Sequence, residues 1–525
     1  MSTARVSFPR VAGIGGLIVF VGLVSVSAPT LAVVPVSQPP ITAVDGTMPP
    51  SSLPPGPATS TTVPTLPAST STTPASTGVS NTIPVSGVIG VNDPVTTVPG
   101  QPTLPPIQAG SGPVSPPTTA ALTSTTLGVP TSRDPSSTVS PSKTAAGSRT
   151  PEELRSAVMA ALQLSTAKSK SALVVLEGTG TIVEVDADIA RTPASTQKVY
   201  VAGAMLARLG GEHRYATEVR STTILDSGAV DELVLRASGD PSFSSGQLAA
   251  LADGVVKAGV RTTTGLVLDD TRFDNLTRLE IWKRSFTPGE VGVLSSFTID
   301  GNHRGDAETS SDPGMANLKR FRAALTARGM TVGPGSRRGQ LRDGGPVIAA
   351  VQSAPLRDLV RTMLKKSDNT YAEMFTKELG ARSGNGSTSG GVAAISAYMV
   401  QLGVGAPVSQ VDGSGLSSSN RSTPRQQVDF LRRTSSMAYA ADFIDGLPVA
   451  CVDGTMRNRL CQTSGARRVQ AKTGGLDFVV GLAGYGETSS GKRVTFSFLL
   501  NDVRSSSSAR ASLDKALAAL SASPV

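Results

Sequence analysis

Apolar side chains recur at helical spacing (Leu154, Val158, Leu162) directly after Thr150-Pro151-Glu152-Glu153, which predicts a helix over about 151–163 opened by a capping box. Two β-rich runs, Ser171–Glu177 and Thr181–Val185, flank Gly178-Thr179-Gly180 and read as a hairpin. After Pro193, the residues Val199, Ala202, Met205, Leu206 and Leu209 share one face, predicting a helix from Ser195 to Leu209 that Gly210-Gly211 ends. From 212 to 345, short strands (Glu232–Arg236, Gly265–Leu268) alternate with helical segments (Gly246–Lys257, Met315–Arg328). Further helices are predicted at 355–366, 369–380, 391–402 and 425–433. Strands at 468–472, 478–484 and 493–500 and a helix at 508–520 close the chain. Strands near both ends with helices between them predict an α+β layer architecture, in which one sheet draws on both ends of residues 149–522. The stretch at about 215–345 reads as an insertion.

Residues 33–148 have neither period. Pro, Ser, Thr, Val and Gly dominate, as in Pro64-Thr65-Leu66-Pro67 and Ser115-Pro116-Pro117-Thr118-Thr119. Such a segment buries too little apolar surface to offset its ordering entropy, so it is expected to be a disordered linker. Extended like polyproline it would reach ~360 Å. Ahead of it, Arg5 and Arg10 precede an uncharged apolar run from Val11 to Ala28, and Thr30-Leu31-Ala32 offers small residues for cleavage. Residues 1–32 therefore read as a signal peptide or a retained signal anchor. No cysteine follows the run, which excludes a lipoprotein anchor. The expected location is outside the cytoplasm, with the membrane touched only through this segment.

Composition narrows the chemistry. Two histidines in 525 residues argue against a His-rich metal centre and weaken any Ser-His-Asp or Cys-His mechanism, so a hydrolase here needs another base. Two cysteines exclude a four-cysteine zinc site, and neither metal nor cofactor is expected. The formal charge of +9 falls almost wholly after residue 148. It reads as a basic soluble surface, and no basic-aromatic patch points to nucleic acid.

Ser-x-x-Lys begins at Ser140, Ser165, Ser195, Ser489 and Ser512. Only Ser195-Thr196-Gln197-Lys198 opens an amphipathic helix. There, positions three apart share a face, so the Lys198 amine can reach Ser195 Oγ. Backbone N–H groups at the helix start favour developing negative charge. A buried lysine that loses its proton near neutral pH is the base a serine needs. Ser367-Asp368-Asn369 lies at a break between two helices, and Lys472-Thr473-Gly474 ends a β-rich run. Each triplet alone is a weak signal, since Ser, Asp and Asn are ordinary helix caps. The three in this order match a trio associated with class A β-lactamases and penicillin-binding proteins.

With these motifs, residues 149 to about 522 resemble the class C low-molecular-mass penicillin-binding proteins, the D-alanyl-D-alanine carboxypeptidase/endopeptidases of bacterial cell walls. Pro193-Ala194-Ser195-Thr196-Gln197-Lys198 is similar to the family's nucleophile box, and Gly211-Glu212-His213-Arg214-Tyr215 is similar to the stretch just after that box. Ser238-Gly239-Asp240-Pro241-Ser242, Asp412-Gly413-Ser414-Gly415-Leu416-Ser417 and Asp453-Gly454-Thr455-Met456 resemble further family markers. The resemblance implies a penicillin-binding/serine β-lactamase-like fold: an antiparallel sheet flanked by helices, a helical subdomain and an inserted subdomain. It implies peptidoglycan stem peptides and β-lactams as partners. It makes Ser195 the nucleophile, Lys198 its base, Ser367 a proton relay and Asn369 a holder of Lys198 and substrate amide. Lys472 and Thr473 would meet the terminal carboxylate, and the Ser195 and Gly475 N–H groups would form the oxyanion hole.

Two departures stand out. The position after Gly474 is usually Thr or Ser in this family but is Gly475 here, which removes a hydroxyl for the carboxylate. The interval from Ser195 to Ser367 is also short, implying one reduced insertion. Cys451 and Cys461 are expected to pair in an exported protein. A class A β-lactamase is the competing enzyme. It needs a Glu in a loop some tens of residues after Ser-Asp-Asn, whereas Glu373 and Glu378 fall in the next helix and the following one is Glu487. A wall-binding homologue with weak catalysis is the non-enzymatic alternative.

Overall fold

The computed structural model describes residues 150–221, 226–340 and 345–525, so the expected signal (1–32) and linker (33–148) lie outside the described residues. Thr150 Oγ1 accepts from Glu153 N (3.2 Å) and Glu153 Oε2 from Thr150 N (2.8 Å), opening α1, Pro151–Gln163. The hairpin follows as β1, Ser169–Leu176, and β2, Gly180–Val185. After a tight turn comes α2, Lys198–Leu209.

A second sheet then forms from β3 (Ala216–Arg220), β4 (Ala229–Arg236), β5 (Thr262–Asp269), β6 (Thr331–Arg338) and β7 (Val347–Gln352), in the order β6-β5-β4-β3-β7. Its pairs β4–β5 and β5–β6, on the β6 side of the sheet, are parallel. Two helices, α3 (Ser245–Lys257) and α5 (Pro313–Thr326), cover it, with the short α4 (Asp306–Thr309) between them in sequence. Leu251, Val255, Phe321 and Leu325 from the helices meet Val219, Leu235, Leu266 and Leu268 from the sheet. Strands β3, β6 and β7 escaped the sequence reading. Much of β6 is exposed and holds Pro334, which an edge strand tolerates because its N–H side need not pair. The sheet also continues past the expected boundary near 345.

Helices α6 (Leu356–Lys366), α7 (Asn369–Arg382), α8 (Thr388–Gln401), α9 (Pro424–Thr434) and the unpredicted α10 (Ala440–Gly446) come next. The chain then returns as β8 (Val469–Leu476), β9 (Val479–Glu487), β10 (Arg493–Asn501) and α11 (Ser506–Ala522). The first sheet has the order β2-β1-β10-β9-β8, wholly antiparallel, and β1 pairs directly with β10. One sheet therefore does draw on both ends of the described chain. Alternation along β10 sorts its faces: Phe496, Phe498 and Leu500 pack with Leu154, Val158, Leu513 and Leu517 of α1 and α11. Ser497 points the other way and donates to Gln427 Oε1 of α9 (2.7 Å). Beyond that face lies a helical core in which α2 is almost wholly buried, with Met205, Leu206, Phe375 and Phe430 in contact. The edge strand β8 faces the start of α2, which brings chain ends and centre to one place.

Candidate active site

The sequence predicts an α-helix from Ser195. The structure instead winds Ala194–Gln197 as a 3₁₀ turn and starts α2 at Lys198. The cause is local. Ala194 adopts φ +48°, and Thr196 bonds back to Pro193 O through both its N–H (3.3 Å) and its hydroxyl (2.7 Å), tightening the turn. At three residues per turn, Ser195 and Lys198 eclipse one another. Lys198 Nζ donates to Ser195 Oγ at 2.9 Å.

Helix α6 ends at Ser367, which is left-handed (φ +60°) and so turns the chain sharply. Asp368 caps α7 by accepting from Tyr371 N (3.0 Å). The ordinary capping task falls to this middle residue, leaving Ser367 and Asn369 to face the pocket. Asn369 Oδ1 accepts from Lys198 Nζ (2.7 Å), and its amide donates to Glu290 O (2.8 Å). Strand β8 is longer than the sequence predicts, because Gly474 and Gly475 continue its pairing with Gly481 and Val480. Lys472 Nζ donates to Ser367 Oγ (2.9 Å) and to Thr473 O (2.8 Å). Thr473 Oγ1 donates to Thr455 Oγ1 at 2.8 Å. A Cβ on Gly474 would sit 2.8 Å from Pro193 O, so only glycine lets β8 lie this close to the turn that carries Ser195. Ser195, Lys198 and Asn369 thus form one hydrogen-bonded group and Ser367 and Lys472 another, near enough that the charge of Lys198 bears on Lys472.

Lys198 and Lys472 are both fully buried. Burial pushes Lys198 down to about 8, against the pull of Asp412, Glu373, Asp368 and Glu290. Burial, then the charge of Lys198, pushes Lys472 well below the ordinary lysine value. The sequence reading missed what supports this pair. Lys198 Nζ also donates to Ser414 O (2.6 Å), and Glu373 Oε1 accepts from both Gly413 N (3.0 Å) and Ser414 N (2.7 Å). Burial, then the Asp412 charge, raises the Glu373 pKa. Asp412 accepts from Trp282 Nε1 (3.0 Å), Gly415 N, Ser417 N and Asn420 Nδ2 (each 2.8 Å), so the glycine-rich loop is cross-braced. The Asp412–Ser417 resemblance was the one available signal. Glu373 carried none, since a lone Glu inside a helix is normally solvated.

At Gly475, a Cβ would lie 3.6 Å from Arg510 Nη2 and touch nothing closer. Cys451 and Cys461 are disulfide-bonded, with Cα atoms 4.8 Å apart, closing the loop that carries Thr455. Such a short loop is worth about 2–3 kcal/mol. Among the described residues, no group of three His, Cys, Asp or Glu gathers to hold a metal ion.

Comparison with known proteins fits this geometry. The chain matches the D-Ala-D-Ala carboxypeptidase 3 (S13) family over residues 154–302 and 284–522. It is 30% identical over 346 residues to carboxypeptidase DacB of Mycolicibacterium smegmatis, covering 61% of this chain and 73% of that one. It is 29% identical over 382 residues to a D-alanyl-D-alanine carboxypeptidase of Actinomadura sp., covering 56% and 70%. In fold it resembles the crystal structure of penicillin binding protein 4 from Haemophilus influenzae, with a TM-score of 0.61 at 22% identity over 69% of this chain and 97% of that one. The penicillin-binding α+β fold expected from the sequence is therefore the one found. With sequence and architecture in agreement over nearly the whole described chain, this protein belongs to the D-Ala-D-Ala carboxypeptidase 3 (S13) family and is a serine-type D-Ala-D-Ala carboxypeptidase.

Proposed function

We propose that the chain hydrolyses D-Ala-D-Ala bonds of peptidoglycan stem peptides outside the cytoplasm, through an acyl-enzyme on Ser195 that β-lactams also form. The observation that carries this is the pair of 2.9 Å contacts, Lys198 Nζ to Ser195 Oγ and Lys472 Nζ to Ser367 Oγ, each made by a fully buried lysine. In its neutral form, Lys198 takes the Ser195 proton as Oγ bonds to the penultimate D-Ala carbonyl carbon. The N–H groups of Ser195 and Gly475 receive the oxyanion, each fixed donor contributing about 3–4 kcal/mol to the transition state. Collapse breaks the C–N bond, and Ser367, bonded to Lys472, passes a proton to the leaving amine. Thr473 and Lys472 meet the leaving carboxylate, and Asn369 steadies Lys198. Water then attacks the ester and restores Ser195.

Glu373 argues against the β-lactamase alternative, because one oxygen is committed to two backbone N–H groups and the other is buried. Residues 1–32 would direct export and 33–148 would tether the catalytic head. Intact-mass analysis after exposure to benzylpenicillin tests the reading. Wild type should gain one adduct that Ser195→Ala lacks, and an undiminished adduct on the variant would reject the nucleophile.

A further inference from the structure

Asn369 holds Lys198 only while its side-chain amide keeps one of two orientations of nearly the same shape. With Oδ1 toward Lys198 Nζ (2.7 Å) it accepts from the amine, whereas turned over it would set one donor against another. Its Nδ2 decides between them by donating to the main-chain oxygen of Glu290 (2.8 Å). The placing of that carbonyl therefore bears on the lysine, although Glu290 lies in the insertion, 79 positions before Asn369.

A chain of hydrogen bonds grips the backbone on both sides of Glu290. Gly292 N donates to Thr370 Oγ1 (2.9 Å), a buried hydroxyl in the first turn of α7. His303, one of the chain's two histidines, has Nε2 at 3.1 Å from the same hydroxyl and Nδ1 at 2.7 Å from Pro288 O. Pro288 O can only accept, so in the neutral ring Nδ1 carries the hydrogen and Nε2 is left bare to accept. Thr370 Oγ1 thus takes the Gly292 hydrogen and gives its own to His303, and His303 gives its own to Pro288. Both ring nitrogens and the hydroxyl are spent in one direction, with Glu290 midway between the two ends.

The turn that presents His303 is itself braced against this stretch. Asp300, Gly301 and Asn302 adopt φ of +52°, +69° and +53°, a left-handed run that Asp, Gly and Asn tolerate best. Asn302 Nδ2 donates to Val293 O (2.9 Å), and a Cβ on Gly292 would collide with Gly301 O.

We propose that His303 and Thr370 are positioning residues for acylation, clamping residues 288–292 so that the Glu290 carbonyl orients the Asn369 amide and, through it, Lys198. Neither side chain bonds to Ser195, Lys198, Ser367 or Lys472, and each acts through Asn369. The proposal rests on the Ser195 acyl-enzyme reading, in which Lys198 is the base.

The test follows acylation of the full chain by a chromogenic β-lactam, by stopped flow or, for slow variants, by intact mass. Thr370→Val keeps the shape but deletes the hydroxyl, and should slow acylation about three- to tenfold, as losing a neutral hydrogen bond implies. Thr370→Ser keeps the hydroxyl and should stay near the wild-type rate. His303→Phe alters a partly exposed residue, so it provides a second variant should Thr370→Val fail to fold, and its loss should match. The two changes together should cost no more than either alone, because they break one chain. In an Asn369→Ala background, where the side chain being oriented is gone, Thr370→Val should cost nothing further. An undiminished loss there would give Thr370 a structural role alone and overturn the proposal, as would wild-type rates in both Thr370→Val and His303→Phe. Imidazole nitrogen NMR of the wild type needs no variant and should find His303 protonated at Nδ1 and bare at Nε2. The opposite tautomer would break the chain and the proposal with it. Failure of the acyl-enzyme reading looks different, since wild type itself then takes up no β-lactam.

Discussion

Lys198 combines complete burial with three acceptors around one nitrogen, so in the proposed mechanism its protonation state controls the first step. With a value of about 8, its neutral form dominates only above that pH. Acylation by a chromogenic β-lactam, followed by stopped flow, should slow about tenfold per pH unit below about 8 and level off above it. A flat profile between about pH 6 and 9 would remove Lys198 as the base. The same shift is a cost to folding. Below about pH 8 the folded chain holds an ammonium that the unfolded chain solvates better, and this penalty is relieved as pH rises from about 8 toward the ordinary value of 10.5. Gly475 offers a second residue-scale test. The nearest atom to an added Cβ is Arg510 Nη2 at 3.6 Å, so Gly475→Thr should fit. Its hydroxyl should lower KM for a D-Ala-D-Ala pentapeptide about three- to tenfold, as one added hydrogen bond to a carboxylate would. The i, i+3 relation of Ser195 and Lys198 was legible in the sequence, because the turn itself imposes it. The Glu373 contacts with Gly413 and Ser414 were not, because forty positions of chain separate the partners.

Elements place these residues through close backbone approaches. Gly415 has φ +81°, and a Cβ there would collide with the Ala194 carbonyl and reach Ser195 N at 3.1 Å. Gly415→Ala should therefore displace the Ser195 turn and, under the proposed mechanism, cut the rate of penicillin acylation on the order of 100-fold, the cost of roughly 1 Å of misplacement. Far-ultraviolet circular dichroism should stay near wild type, since α2 begins beyond the affected turn. Full acylation in the variant would show that the loop does not position Ser195. Helices with a strong apolar stripe, such as α6 and α9, were legible to within a few residues because local period and cap signals agree there. The 3₁₀ turn was not, because Thr196 overrides the helical start through its own hydroxyl. Strand β6 was not, because exposure leaves it no apolar alternation to read.

Across the molecule, α1 and α11 close the outer face of the sheet while the helical core closes the inner face, so the described chain carries its own cores and the whole pocket. A chain starting at residue 149 should thus take up benzylpenicillin on Ser195 at the wild-type rate. One starting at 165 loses Leu154, Val158 and Leu162 and uncovers Phe496 and Phe498, which should lower its thermal midpoint by more than 10 °C, as about 2–4 kcal/mol per lost large apolar side chain implies. Equal midpoints for the two chains would contradict the role given to α1. By itself the sequence determined most of the helices, the sheet shared by both ends of the described chain and the family, because period, caps and short motifs are properties of neighbours in the chain. Only the tertiary structure decided that Asp453 is neutralised by Lys365, that Lys366 and Arg457 lack a carboxylate partner among the described residues, and that β8 lies against Pro193. Those facts depend on which segments far apart in the chain come to lie beside one another, which no local pattern encodes.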